Sequence, residues 1–163
     1  MGRVISLREM DLSDVTETYI AWVRDPAVNR WLGTHTATLE SQRAWVAQWL
    51  GRKDAALFAI CCREAGCIGQ MIGSLKLELP PPGEAAVLGL MLGDRDHWNR
   101  GMGTAAIELG TRLAFQRWPE ARRVEAAIRP QHFASLRAFE RAGYTVDWPE
   151  KLWARVARLP RRS

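Results

Sequence analysis

Cysteine is scarce in this 163-residue chain: Cys61, Cys62 and Cys67 are the whole supply. An odd count with no histidine close by in sequence argues against a disulfide framework and against a zinc site, so reduced, half-buried strand thiols and no metal are expected. Long apolar runs are missing too. No segment approaches the roughly 18 residues of a membrane span, and "MGRVISLREMDL" has no apolar stretch of signal-peptide length, which points to a cytoplasmic protein without membrane contact. Nothing repeats and no linker interrupts the chain, so one domain over residues 1–163 is expected. There is no glycine-aromatic ribonucleoprotein signature and no strand of alternating basic and aromatic residues, which speaks against RNA as a partner.

What is present is ordinary in bulk and specific in detail. The chain is 47% hydrophobic and 25% charged, the balance of a soluble globular domain. Its net charge of +5 and pI near 9.6 favour anionic partners without choosing among them. The visible basic cluster, "PRRS" with Arg158 upstream, reads as a solvated tail.

Periodicity orders the elements. "VISLR" (4–8) alternates as a strand, and "DLSDVTETYIAWV" follows as a helix carrying Val15, Tyr19, Trp22 and Val23 on one side, with Asp11 or Ser13 as its N-cap. Asp25-Pro26 opens a short turn, and Thr38 caps a helix whose Trp45, Val46, Trp49 and Leu50 recur at helical spacing, closed by Gly51. "ALFAICC", "CIGQMIGSLKLEL" and "AAVLGLML" then form an antiparallel meander, broken at "REAG" and "PPPG". A helix with Met102, Ala106, Leu109 and Leu113 on one face ends near Trp118, "RVEAAI" is a strand, "HFASLRAFERAG" a helix closed by Gly143, and "KLWARVARL" a last strand. Only the connections through 101–118 and 132–142 are long enough to join parallel strands, so the fold class is α/β (α+β) with a mixed sheet.

The stretch "DRDHWNRGMGTAA" (94–106) stands where the meander gives way to a helix. A plain strand-to-helix turn would use its glycines for positive φ. Two glycines flanking Met102 at a helix start, followed by Thr104, Ala105 and Ala106, do more: they leave unpaired N–H groups where a phosphate can sit. Gly101, Gly103 and Ala106 formally match a dinucleotide fingerprint, but the polar "DRDHWNR" separates them from the strand and a meander precedes them, unlike a βαβ unit. No lysine follows, which excludes a triphosphate P-loop.

"LGLMLGDRDHWNRGMGTAAIELGTRLAF" resembles motif A of the GNAT superfamily of N-acetyltransferases, and "AAIRPQHFASLRAFERAGY" resembles the strand and helix that follow it there. Trp98, in place of the family's glutamine or arginine, is similar to the branch containing the ribosomal-protein N-acetyltransferases. The resemblance implies a single-domain, mostly antiparallel sheet of about six or seven strands splayed into a V and flanked by helices. It implies acetyl-CoA as co-substrate, its pyrophosphate at Trp98, Asn99, Arg100, Gly101, Met102, Gly103 and Thr104, and its pantetheine arm along Met91, Leu92 and Gly93. His132 takes the place of an asparagine that touches the arm, Ser135 matches a serine, and Phe139 stands where many relatives have the tyrosine that protonates the leaving thiolate.

Phenylalanine has no proton to give, so a core role is expected of Phe139. Relatives of this branch often carry a glutamate where Val87 stands, which leaves the base open; Asp94, Asp96 and His97 are the nearest titratable groups in sequence, and a turn or solvent-facing role is the first reading for each. The resemblance implies direct transfer to a primary amine in a ternary complex, driven by proximity and a backbone N–H on the thioester oxygen, with proton loss through water. The acceptor is expected among "TYIAWVRDPAVNRWLGTHTATLESQRAW", with Arg24, Asn29, Arg30, Trp31 and His35 as its polar and aromatic groups, while Trp22, Trp45 and Trp49 read as core. This stretch resembles GNAT enzymes of surface-polysaccharide synthesis that acetylate amino groups of nucleotide-linked sugars. A small-molecule amine, a peptide N-terminus, and a CoA binder without turnover stay open, as do monomer and homodimer.

Overall fold

The computed structural model describes residues 4–32, 36–147 and 154–157. His35 and the basic C-terminal cluster lie outside the described residues.

Strand β1 (Ile5–Glu9) leads into a 3-10 turn at Leu12–Asp14, capped by Asp11, and then α1 (Glu17–Arg24). The N-cap of α1 is Thr16, whose side chain accepts from Tyr19 N, rather than Asp11 or Ser13. Asp11 is used up on its own 3-10 turn ahead of the helix, where Asp14 also reaches back to pair with Arg8 at 2.6 Å. Asp25 caps α2 (Pro26–Asn29) with proline at its first turn, and Thr38 caps α3 (Leu39–Trp49) in a reciprocal box with Ser41. Both starts follow from the local sequence.

The meander comprises β2 (Ala55–Cys62), β3 (Met71–Glu78) and β4 (Ala85–Leu92), all antiparallel neighbours. The turn between β2 and β3 runs as far as Gln70, and in it Cys62 and Cys67 form a disulfide with Cα atoms 5.7 Å apart, leaving buried Cys61 as the free thiol. This corrects the expectation of three reduced thiols. Cys62 ends β2 and Cys67 returns across the turn, a juxtaposition that counting cysteines does not reveal.

The long helix α4 (Met102–Arg117) carries β4 to the parallel β5 (Arg123–Ile128); α5 (Phe133–Arg141) then leads to a short β6 (Thr145–Asp147) and to β7 (Ala154–Ala157). β6 was not anticipated; three residues are too few to show a period. The sheet order is β1-β2-β3-β4-β5-β7-β6, seven strands among the described residues, antiparallel throughout except between β4 and β5.

Each face of the sheet carries its own core. On one, α4 buries Met102, Ala106, Ile107, Gly110, Thr111 and Ala114 against Leu75, Leu88 and Val124. That stripe sits about one position from the expected Met102-Ala106-Leu109-Leu113 line; Leu109 and Leu113 are only partly buried at its border. On the other face, α1 to α3 bury Val15, Tyr19, Ile20, Val23, Val28 and Val46 over Leu57 and Met91. Each large aliphatic side chain so enclosed contributes about 1.5–3 kcal/mol. Trp22, Trp45 and Trp49 are half-buried at the edge of this second core, partners of it rather than its centre.

Candidate active site

Strands β4 and β5 pair only over Ala85–Val87 and Arg123–Glu125. Beyond that the two strands part, so Leu88 to Leu92 keep β3 on one side and lose their partner on the other. At about 3.3 Å per residue this leaves roughly 16 Å of unpaired strand edge, able to accept an extended chain as an added strand. The gap is the V expected from the sequence, and its apex is the pair Val87–Glu125.

At the open end of this V lies the start of α4. Gly101 is its N-cap, in the left-handed region at φ 78°, and no side chain caps the helix. The first intrahelical bond runs from Ala105 N to Gly101 O, so the N–H groups of Met102, Gly103 and Thr104 have no partner within the helix. A Cβ added at Gly101 or Gly103 would meet nothing within 4 Å. Three donors, an aligned helix dipole and open space form an anion site suited to a diphosphate.

The residues leading into the site have distinct tasks. Trp98 donates its indole N–H to Leu92 O at 2.7 Å, bracing the end of β4 rather than presenting a donor to a ligand. Asn99 is exposed and holds φ 57°, helping the chain reverse into the helix. The Arg100 guanidinium is paired with Glu64 from the β2–β3 turn, and Nη1 reaches Asp96 O at 3.5 Å. Met91 and Met102 are buried, one in each core, and Leu92 is half-buried. Gly93 is required by close approach: a methyl there would overlap Cγ and Cδ2 of Trp22.

Across the V, at the far end of β5, His132 is the N-cap residue of α5 and stacks on Trp31, with ring centroids 4.5 Å apart and planes 12° from parallel. Arg30 lies over the other member of the pair, 4.6 Å from the Trp31 ring centroid. Burial, with a smaller contribution from Arg30, pushes the His132 pKa down to about 4, so the imidazole is neutral near pH 7. Trp31 and His132, expected on the acceptor and cofactor sides respectively, are thus one stacked unit. Arg24 and Asn29 are both engaged by the backbone around them: exposed Arg24 donates from Nε to Ala37 O at 2.7 Å, and the amide of buried Asn29 donates to Arg24 O at 3.2 Å. Those two build the loop that presents Trp31. Ser135 is half-buried in the first turn of α5, and Phe139 is a core residue at 1% exposure, edge-on to Tyr144 at 4.9 Å.

The titratable candidates divide by position. Asp94 caps the 3-10 turn Arg95–His97 through Asp96 N, Asp96 is exposed on that turn, and His97 is buried beneath it. Asp94 is seven residues along from Val87, about 23 Å at strand rise, so this group sits at the anion end and not at the apex. The apex has a carboxylate that the sequence reading missed. Val124, Ala126 and Ile128 face the α4 core, so alternation turns Glu125 to the opposite face, the one that carries Met91 and the α1–α3 layer. Its side chain is 13% exposed and accepts from Arg123 Nε at 2.6 Å. Glu125 is the register partner of Val87, where relatives have their glutamate. Cross-strand register is the signal, and it is invisible before the strands are paired.

His97 also contradicts the expectation that the cysteines have no histidine near them. Its ligating nitrogen lies within 4.8 Å of both Cys62 and Cys67 sulfurs, because the 3-10 turn packs against the β2–β3 turn 30 residues earlier.

The profile of the family described as "Acetyltransferase (GNAT) domain" matches residues 5–145. No curated protein sequence matches the chain significantly. Among solved structures, AAC(6')-Ib in complex with paromomycin and acetyl-CoA superposes with a TM-score of 0.79 at 16% identity, over 95% of this chain and 93% of that one. An acetyltransferase from Salmonella typhimurium that modifies the N-terminal serine of the 50S ribosomal protein L7/L12 gives a TM-score of 0.79 at 21% identity, over 97% and 96%. A GNAT-family acetyltransferase from Bacillus anthracis gives 0.78 at 16%, over 98% and 96%.

Proposed function

The chain belongs to the GNAT acetyltransferase family, and from that premise we propose that it acetylates a primary amine of a small molecule, with amino sugars the class best matched by its acceptor side. The observation that carries the reading is the splayed pair β4–β5 with an uncapped helix at its mouth. Acetyl-CoA supplies an activated acetyl thioester. The N–H groups of Met102, Gly103 and Thr104 hold the diphosphate, and the open edge from Leu88 to Leu92 pairs with the pantetheine amides.

The acceptor lies on the α1–α3 face, with the Trp31–His132 stack and Arg30 as one wall. A flat aromatic surface beside a neutral imidazole suits a sugar ring, which offers C–H faces and hydroxyls and would gain nothing from a cation at His132. In keeping with this, the similarly folded AAC(6')-Ib has been seen with an aminoglycoside. An amine with a pKa near the 10.4 of lysine must lose a proton before it attacks. Glu125 at the apex takes that proton through water, a positioned-base role worth about 10²-fold or more. Direct transfer is supported by the state of the cysteines, two joined to each other and the third buried in β2.

The test is thiol release from acetyl-CoA with a panel of amino-sugar nucleotides, aminoglycosides, polyamines and short peptides. Turnover confined to amino sugars is expected. Turnover confined to peptides would move the assignment to protein N-termini, and tight CoA binding with no turnover on any amine would make the chain a binder only. Absence of CoA binding would overturn the site itself.

A further inference from the structure

A second cluster lies outside the acyl-transfer machinery. Cys62, Cys67 and His97 present two sulfurs and an imidazole nitrogen within 4.8 Å of one another. Cys62 is fully buried, Cys67 is partly so, and the His97 side chain is 9% exposed. The His97 Nδ1 lies 3.2 Å from Asp94 Oδ2 but out of hydrogen-bond alignment, and no described residue hydrogen-bonds to it. A buried ring nitrogen without a hydrogen-bond partner is costly and calls for something that bonds to it.

The chemistry of the set is specific. Two cysteines separated by four residues, one ending β2 and one in the turn that follows, with a histidine from a distant turn, match the spacing and donor types of zinc sites. Position is fixed independently of any ligand: Gly93 N and Asp94 N both donate to Ile72 O at 3.0 Å, which clamps the His97 turn onto the start of β3. We propose that, in its dithiol form, this cluster binds one zinc ion through Cys62, Cys67 and His97, with the remaining position open to water or to Asp94. The site is distinct from acetyl transfer, yet one ion pair away from it, since Glu64 in the Cys62–Cys67 turn holds Arg100 of the anion loop.

The two states of the site exclude each other. In the disulfide form the sulfurs are bonded together and have no thiolate to offer. A phosphine reductant opens the bond: it takes the oxygen of one water as phosphine oxide, and the two hydrogens pass to the sulfurs. Zinc then displaces the two thiol protons, and a ring nitrogen of His97 contributes a lone pair.

The full chain, reduced with a phosphine under anaerobic conditions, incubated with zinc alone and desalted, should retain about one zinc per chain, and the disulfide form should retain none. Cys67→Ser and His97→Ala should each lower zinc affinity at least about tenfold, while Cys61→Ala should leave it unchanged. Alkylation mapped by mass spectrometry gives a readout in the unmutated protein: zinc should slow modification of Cys67 and Cys62. Failure of the reduced, folded protein to retain zinc, or retention indifferent to Cys67→Ser, would overturn the proposal. Neither result bears on CoA binding, which is measured separately.

Discussion

At Gly93 and Gly103 one missing side chain has opposite meanings. Gly93 is pressed against the Trp22 indole, so Gly93→Ala forces the ring or the strand to move and should cost about 1–3 kcal/mol of stability, read as a lower urea midpoint. Gly103 faces open space at the anion site. Gly103→Val should leave folding nearly unchanged and raise the acetyl-CoA KM at least about tenfold, the value of one charge-assisted hydrogen bond, whereas an unchanged KM would remove the diphosphate from this loop. Glu125→Gln keeps the shape and removes the proton acceptor. It should lower kcat about 100-fold and leave CoA affinity intact; wild-type kcat in this variant would return the base to bulk water. Glycine spacing marked the uncapped start of α4 in the sequence, because that geometry is local. Glu125 was not announced, because its meaning comes from standing opposite Val87 on another strand.

Among the elements, the helices that begin on capping residues were legible and the sheet edges were not. Thr38, Asp25-Pro26 and Gly143 mark boundaries through bonds or dihedrals confined to a few residues. Thr38→Ala removes the acceptor of Ser41 N and should destabilise the protein by about 1 kcal/mol, measurable as a shifted urea midpoint at constant slope. The buried stripe of α4 was displaced from its expected line because β3 and β4 beneath it, not the helix, decide which side is covered. The disulfide was missed because it depends on how the β2–β3 turn brings Cys67 back to Cys62, and the His97 cluster because turns 30 residues apart meet only after the meander folds.

For the molecule as a whole, the Trp31–His132 stack is a contact that joins the N-terminal helices to the β5–α5 arm across the V. Its pH behaviour has a definite sign. With its folded pKa down at about 4, against about 6.5 unfolded, His132 is bound by fewer protons in the folded chain across that window. Its contribution is therefore complete above about pH 6.5 and lost as pH falls toward 4. His132→Phe keeps a flat ring and removes the titration, so thermal unfolding between pH 6.5 and 5 should show a shallower decline of Tm than the unmutated protein. An identical decline would mean that His132 does not carry it.

The sequence by itself determined the element order up to α5, the starts of α2 and α3, the glycine loop and the family likeness, since each depends on neighbours within a turn or two of chain. Tertiary structure decided where β4 and β5 part, which carboxylate stands at the apex, that Trp31 and His132 share one stack, and that two cysteines and a histidine converge. Those are contacts between residues far apart in sequence, and hydrophobic burial and strand register, rather than any local preference, bring them together.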